Sequence, residues 1–379
     1  MAGVELPVSA VAASMVVGAV ALMILGVQPV LLGALTQSHR LTEAQLGPLA
    51  TAEMLALAIG SAIGAGWLRA GRMRLKTVAL SLVLTLANLG TCFARTAFEL
   101  DTLRGLAGLT EGLMMGATIV ITIQHRRPDR LNAIFLAVAT APQAALAYLL
   151  PVWIMPQWGV GGGFAVLTVL SLVSAGAALL LVDRVPPPSP EGSGSPVWTP
   201  AIFVAVAAVI LQYAAIGGAW GYIQVLSDQR HFAPRIAGIA VSGGLVMQVA
   251  GALVVAAWGQ RLPLRGTLVL ATVCQTAVIV LLAIADTPLA FIAPAFGFGL
   301  FWLAISPFQI RLLINVDPTR SVALVLTAVT LAGLSIGPSI AALGVHGQDV
   351  TGAYWICAAL MMLSAGLYGI LGLRTAARI

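Results

Sequence analysis

An arginine and a glutamate sit seven residues apart in a long apolar run, Asp101-Thr-Leu-Arg104-Gly-Leu-Ala-Gly108-Leu-Thr-Glu111-Gly112-Leu-Met-Met-Gly116. Seven residues make almost two helical turns, so Arg104 and Glu111 share a face. Ionisable groups are costly in a bilayer interior and are usually tied to function there. A titratable acid beside a fixed cation is what proton-coupled transport requires. The competing reading is a buried structural ion pair. Gly105, Gly108, Gly112 and Gly116 form a small-residue ridge that lets a neighbouring helix come close.

The other polar residues inside apolar runs are few. Glu53 lies about nine residues into the second run, ~13 Å along a helix. It reads as a second proton site, as a partner for Arg104, or as a residue facing water. Candidate solute contacts are Gln28 in the first run, Gln143 and Tyr148 in the fifth, and Gln212, Tyr213 and Trp220 in the seventh. Tyr222 in the seventh, Gln248 in the eighth, Gln275 in the ninth and Trp302 with Gln309 in the tenth complete the set. Each glutamine alone is equally an inter-helix hydrogen bond. Tyr213 and Trp220 share a helical face, and aromatic rings suit an amphipathic solute. Phe296, Phe298 and Phe301 also read as packing. Arg311 sits near a span end, where its long stem can carry the charge to water.

The elements that must position these residues follow from composition. Of 379 residues, 60% are hydrophobic and 8% charged, with a mean hydropathy of +1.01. Soluble domains carry about 25% charged residues. Apolar runs recur along the whole chain, each long enough for the ~20 residues of a bilayer span. This is an all-α polytopic membrane protein. The net charge of +6 comes from residues in short loops rather than from a nucleic-acid face. Cys92, Cys274 and Cys357 are isolated, with no CxxC pair. His39, His125, His231 and His346 are scattered near loops, so no metal site is expected. No cofactor is called for: a Walker A phosphate loop is absent, and no Ser/His/Asp constellation argues for an enzyme.

About twelve spans are expected, near 8–35, 44–68, 75–94, 98–123, 131–153, 163–182, 199–226, 235–258, 266–285, 288–313, 321–344 and 352–373. The first lacks a basic leader and reads as a span rather than a signal peptide. Between the sixth and seventh lies a Pro/Gly/Ser stretch that cannot pack a core and reads as a linker. It divides the chain into residues 1–183, a linker at 184–198, and residues 199–379, each flanking part a six-helix bundle. Fourteen of the 19 basic residues then fall on the side of both termini and the linker, four on the other side, and Arg104 within a span. That bias places both termini and the linker in the cytoplasm.

Paired six-helix halves joined by a linker resemble the major facilitator superfamily. The loop after the second span, Gly64-Ala-Gly-Trp-Leu-Arg69-Ala-Gly71-Arg72-Met-Arg74, is similar to that family's signature at Gly64, Arg69, Gly71 and Arg72, which implies a role in conformational change. Leu68 stands where the family has aspartate. A weaker counterpart lies around Gln260-Arg261-Leu-Pro263-Leu-Arg265. Arg104 and Gly108 match the family's fourth-helix motif. The surrounding Arg-Gly-Leu-Ala-Gly-Leu-Thr-Glu-Gly resembles anion:cation symporters, in which the glutamate is the proton site, and spinster-like members. The first span offers only Gln28-Pro29 where those groups often carry charge. Ala137–Ala145 is similar to the antiporter Gly-Pro motif with alanine in place of glycine. Gly333 to Pro338 has like spacing and reads as close packing.

The resemblance implies a secondary active transporter of the cell inner membrane, working by alternating access with the solute near the midplane between the halves. Glu111, Arg104 and Glu53 are the proton-coupling residues. The expected partners are protons, a small-molecule solute and the lipid bilayer; no nucleic acid is expected, and the chain reads as a monomer. A symported small organic anion is the first reading. A proton-driven exporter of hydrophobic or amphipathic compounds is the second, and a non-transporting receptor or scaffold the third.

Overall fold

The computed structural model describes residues 6–125, 128–183, 199–317, 322 and 326–376. The expected linker at 184–198 lies outside these, as do Arg126, Arg127, Arg184, Arg320 and Arg378 of the basic-residue tally. The described residues are helical, with one isolated bridge between His346 and Asp349. The helices are α1 (Val8–Ala21), α2 (Met23–Gln37), α3 (Glu43–Arg69), α4 (Met73–Phe93), α5 (Ala97–Gln124), α6 (Pro128–Leu149) and α7 (Met155–Ala178). There follow α8 (Pro200–Gln229), α9 (Pro234–Trp258), α10 (Leu264–Ala283), α11 (Pro288–Ala304), α12 (Ser306–Val316), α13 (Leu326–Ala342) and α14 (Thr351–Ala376).

Ten helical runs are long and apolar enough to cross a membrane. One of them, Arg130–Ala178, holds both α6 and α7, and α13 is a shorter apolar helix. Among the described residues these give twelve candidate passes. Two expected spans are each two helices: α1 and α2 meet at Leu22, and α11 and α12 meet at Ile305. Pro29 and Pro307 withhold an N–H from the helical ladder near these breaks. At the first, the Gln143 side-chain amide donates to the Leu22 carbonyl at 2.9 Å. Gly26 leaves room for it, since a Cβ there would collide with the Gln143 side chain.

The chain forms two compact units, Met1–Leu41 with Ala52–Pro190 and Thr42–Thr51 with Glu191–Ile379. Within each, the same contacts recur at a fixed offset of 191 positions. A Cβ on Gly60 would strike the Leu109 carbonyl, and one on Gly251 the Leu300 carbonyl. Gly108 is likewise pressed on the Glu53 carbonyl, and Gly299 on that of Gly244. Thr96 caps α5 by accepting from the Glu99 N–H, and Thr287 caps α11 by accepting from the Ala290 N–H. After α2 and α8 an arginine likewise caps the end of another helix, Arg40 donating to the Cys92 carbonyl and Arg230 to that of Ala283; the carbonyls are 191 positions apart and the arginines 190. His39 and His231 both take left-handed backbone where α2 and α8 end, here at an offset of 192. The repeat is thus carried by backbone approach and helix ends rather than by side-chain identity.

The loop between α3 and α4 shows what replaces the expected aspartate. Leu68 is fully buried in an apolar cluster with Met73, Leu80, Leu84 and Leu181. Gly71 and Arg72 both have positive φ, so the chain turns sharply there. Arg74 Nε donates to the Leu181 carbonyl at 2.8 Å and Lys76 Nζ to the Trp67 carbonyl at 2.6 Å. Packing and carbonyl caps hold this loop. In the turn before α14, the Asp349 carboxyl is held below the usual carboxylate range by the Thr351 N–H and hydroxyl and by the Gln229 amide.

The glycine ridge of α5 packs on α3. Gly108, Gly112 and Gly116 each face α3 backbone at distances no side chain would allow, while Gly105 faces open space and is no part of the ridge. Gly108→Ala is expected to lower stability by about 1–3 kcal/mol by forcing α3 away, and Gly105→Ala to stay within about 0.5 kcal/mol. Thermal melts of the two variants in detergent check this; equal melting points would remove the ridge as the α3–α5 contact.

Candidate functional site

The first unit buries a network around Arg104, whose residue is 1% exposed. Its Nε donates to Glu53 Oε1 at 2.6 Å, and its Nη2 forms an ion pair with the same oxygen. Nη1 donates to Asn88 Oδ1 at 2.7 Å. The guanidinium also lies 5.4 Å from the centre of the Phe164 ring. Gln28 Nε2 donates to Glu53 Oε2 at 3.2 Å, and Asn88 Nδ2 donates to Ser171 Oγ at 3.1 Å. Five helices, α2 to α5 and α7, therefore contribute to one polar knot.

Glu111 stands at the edge of this knot. Its Oε1 is 3.9 Å from Arg104 Nη2, and its Oε2 is buried with no hydrogen-bond partner among the described residues. Arg104 and Glu111 share a face, as the spacing requires, but the guanidinium is turned to Glu53. Of the three readings of Glu53, the one that pairs it with Arg104 is seen. One fixed cation thus serves two carboxyls, and the cluster is electrically neutral when one of them carries a proton. Asn88 and Phe164 escaped the sequence reading, although an asparagine mid-span was a visible signal.

The second unit holds a different set. Gln212 Oε1 accepts from Gln309 Nε2 at 2.8 Å and from the Tyr368 hydroxyl at 2.9 Å. Its Nε2 donates to Gln275 Oε1 at 3.3 Å. The hydroxyl of Tyr213 hydrogen-bonds the side chain of Ser306. Trp220 and Trp302 pack edge to face with centroids 5.4 Å apart, and Phe298 joins both. Gln248 is buried and its amide nitrogen has no partner among the described residues. Tyr368 was missed as a site member because a single polar aromatic residue in a span carries no pairing signal, and Phe298 was read as packing.

Other candidates stand apart. Gln143 straps the α1–α2 break, and Tyr148 is 37% exposed on α6. Arg311 donates to the Gly259 carbonyl at 3.1 Å and lies against Phe308. An apolar crevice of about 920 Å³ between α4 and α7 is lined by Leu89, Phe93 and Trp158, and holds none of the predicted residues.

Apolar helices of spanning length with buried ionic and amide networks describe a multi-pass membrane protein, and its family makes it a transporter rather than an enzyme. The chain belongs to the Major Facilitator Superfamily, whose family model matches residues 13–309. No curated protein matches it in sequence. Three solved transporters share its fold. The nucleoside transporter NupG aligns with a TM-score of 0.76 at 11% identity, over 97% of this chain and 99% of that one. A bacterial homologue of the human lysosomal transporter Spinster, in an inward-facing and unoccupied conformation, gives 0.68 at 13% identity, with 96% of each chain covered. The human organic anion transporter MFSD10 (TETRAN) gives 0.62 at 11% identity, over 96% of this chain and 100% of that one.

Removing one member of a buried pair leaves the other uncompensated. Glu53→Leu is expected to cost about 3–5 kcal/mol. The double variant Glu53→Leu, Arg104→Met should recover most of that, since neither charge then remains. Unfolding midpoints for both variants check the coupling; additive losses would mean that the two side chains do not act as a pair.

Proposed function

We propose that the chain is a proton-coupled secondary transporter of a small organic solute, with Glu111 as the proton carrier and alternating access as its cycle. The observation that carries this is the unequal sharing of Arg104. Glu53 takes the ion pair and the close hydrogen bond, and Glu111 is left with an unpartnered oxygen. A carboxyl that gains or loses a proton changes the charge of the knot by one, so protonation and helix position are linked through a single guanidinium. Guanidinium itself stays charged at any working pH and cannot be the carrier.

The anionic-solute reading asks Arg104 to receive the solute. In this structure its three nitrogens are bonded to Glu53 and Asn88. This supports an electrostatic role for Arg104 over a solute-binding one. The likeness to a protein described as an organic anion transporter rests on fold alone at 11% identity. We place the protein in the cell inner membrane with both termini and the linker in the cytoplasm, on the bias of its basic loops.

Glu111→Gln in proteoliposomes is expected to abolish pH-driven flux while solute binding survives. Wild-type flux in that variant would move the carrier to Glu53. Arg104→Lys keeps the charge and loses the planar fork. If Arg104 only sets the electrostatics of the carboxyls, lysine retains much of the transport with a displaced pH optimum. A near-complete loss in lysine, together with competition by carboxylates in the wild type, would restore the anion reading. Cysteine labelling at residues 186–196 from the cytoplasmic side checks the orientation; labelling only from outside would reverse it.

A further inference from the structure

The two arginines that follow α2 and α8 differ in what meets their charge. Arg230 donates to the Ala283 carbonyl and lies beside the Asp349 carboxyl, whose charged form it favours. Arg40 spends one nitrogen, Nη1, on the carbonyls of Thr91, Cys92 and Ala94 where α4 ends. Its Nε and Nη2 have no hydrogen-bond partner among the described residues, and neither is a buried atom. No carboxylate among those residues pairs with Arg40. Glu99, just past the end of α4, is committed to the N–H groups of Arg95 and Thr96. Nε and Nη2 are the edge of a guanidinium that grips two oxygens of a phosphate at once. By covering the α4 carbonyls, Nη1 also offsets the partial negative charge that would repel an anion there.

Arg40 lines the apolar crevice of about 920 Å³ between α4 and α7. Gly159, also in its wall, breaks α7 with a φ of 60°. Beyond the break, Cys92 Sγ donates to the Gly161 carbonyl at 3.4 Å and ties the two helices at that level. The wall continues as exposed apolar surface along one face of α4, through Phe93, Leu89, Leu86 and Leu82. From Phe93 to Leu82 is roughly 16 Å at the helical rise, half of the ~30 Å hydrocarbon core of a bilayer. At the end that holds Arg40, Trp158 is 67% exposed. Tryptophan concentrates at the level of lipid headgroups. The crevice thus offers a guanidinium fork at headgroup level and an apolar wall as deep as one leaflet. An ammonium-bearing headgroup would need a carboxylate beside the phosphate, and Glu99 is already engaged.

We propose that the crevice between α4 and α7 binds one anionic phospholipid of the surrounding bilayer, with its phosphate on the Nε–Nη2 edge of Arg40 and an acyl chain against Leu89, Phe93 and Val169. Neither the solute nor proton coupling enters this assignment.

The full-length protein in detergent is mixed with dioleoylphosphatidylglycerol, dioleoylphosphatidylcholine, dioleoylglycerol or inorganic phosphate. Native mass spectrometry counts the adducts, and thermal melts give the apparent Tm. Phosphatidylglycerol is expected to leave a single retained adduct and to raise the Tm. The other three should bind about 10-fold more weakly or less. Arg40→Lys keeps a charge for the α4 carbonyls but loses the fork, and should weaken phosphatidylglycerol by about 5–10-fold. Ala165→Trp fills the crevice from an exposed position without touching the arginine, and should remove the adduct. It guards against a folding defect in the Arg40 variant, because its own melting point without lipid should match the wild type. Equal retention of phosphatidylglycerol, phosphatidylcholine and dioleoylglycerol would reduce the crevice to ordinary lipid contact and overturn the proposal. Protection by inorganic phosphate equal to that by the lipid would overturn the acyl-chain assignment. Wild-type binding of phosphatidylglycerol in both Arg40→Lys and Ala165→Trp would place the lipid elsewhere.

Discussion

The first unit is organised around one guanidinium that cannot lose its charge. Arg104 sits in a chain where only 8% of residues are charged, and it is itself buried. An unpaired charge there would be costly. The structure answers with an ion pair to Glu53, a hydrogen bond to Asn88 and an aromatic face from Phe164. Those partners come from three other helices, and Gln28 and Ser171 hold the partners in turn. The glycines of α5 belong to the same constraint. Gly108 is pressed on the carbonyl of Glu53 itself, so the close approach of α3 that the ridge permits is also what brings the carboxylate to the arginine.

That constraint leaves Glu111 only a 3.9 Å contact with the guanidinium, the feature on which its proposed role as carrier rests. It lies on the face the arginine occupies, yet Glu53 has already claimed the guanidinium. A second acid beside a satisfied cation gains little from it and still bears the cost of burial. The same residue in a soluble loop would carry no such tension.

Much of this was legible in the sequence. The spacing of Arg104 and Glu111, the glycine ridge and the apolar runs each follow from one residue type at one period. The bundle and the number of passes follow from length and hydropathy. Pairings across helices were not legible, because no period relates Asn88 to Arg104 or Gln275 to Gln212. Gly105 shows the limit of a periodic argument: its spacing fits the ridge, but α3 does not run past it. The break at Leu22 was hidden because its carbonyl is taken up by Gln143, a residue 121 positions away. The repeat was faint for a related reason. What recurs is a glycine on a carbonyl and a threonine at a helix start, which tolerate wide change in everything around them.

That tolerance is what lets the two units diverge. Gly108 against Glu53 and Gly299 against Gly244 require the same backbone distance, and neither contact depends on the side chain opposite. One copy could therefore acquire a carboxylate at the approached position and the other keep a glycine without moving a helix. Once Gly244 has no side chain, Ala295 has no charge to meet, and the volume is filled by Trp220, Phe298 and Trp302. A backbone frame indifferent to its side chains thus accommodates an ionic centre in one copy and an aromatic one in the other. An ionic centre in one unit and an aromatic one in the other are thus compatible with a single packing rule, with no need for two different folds.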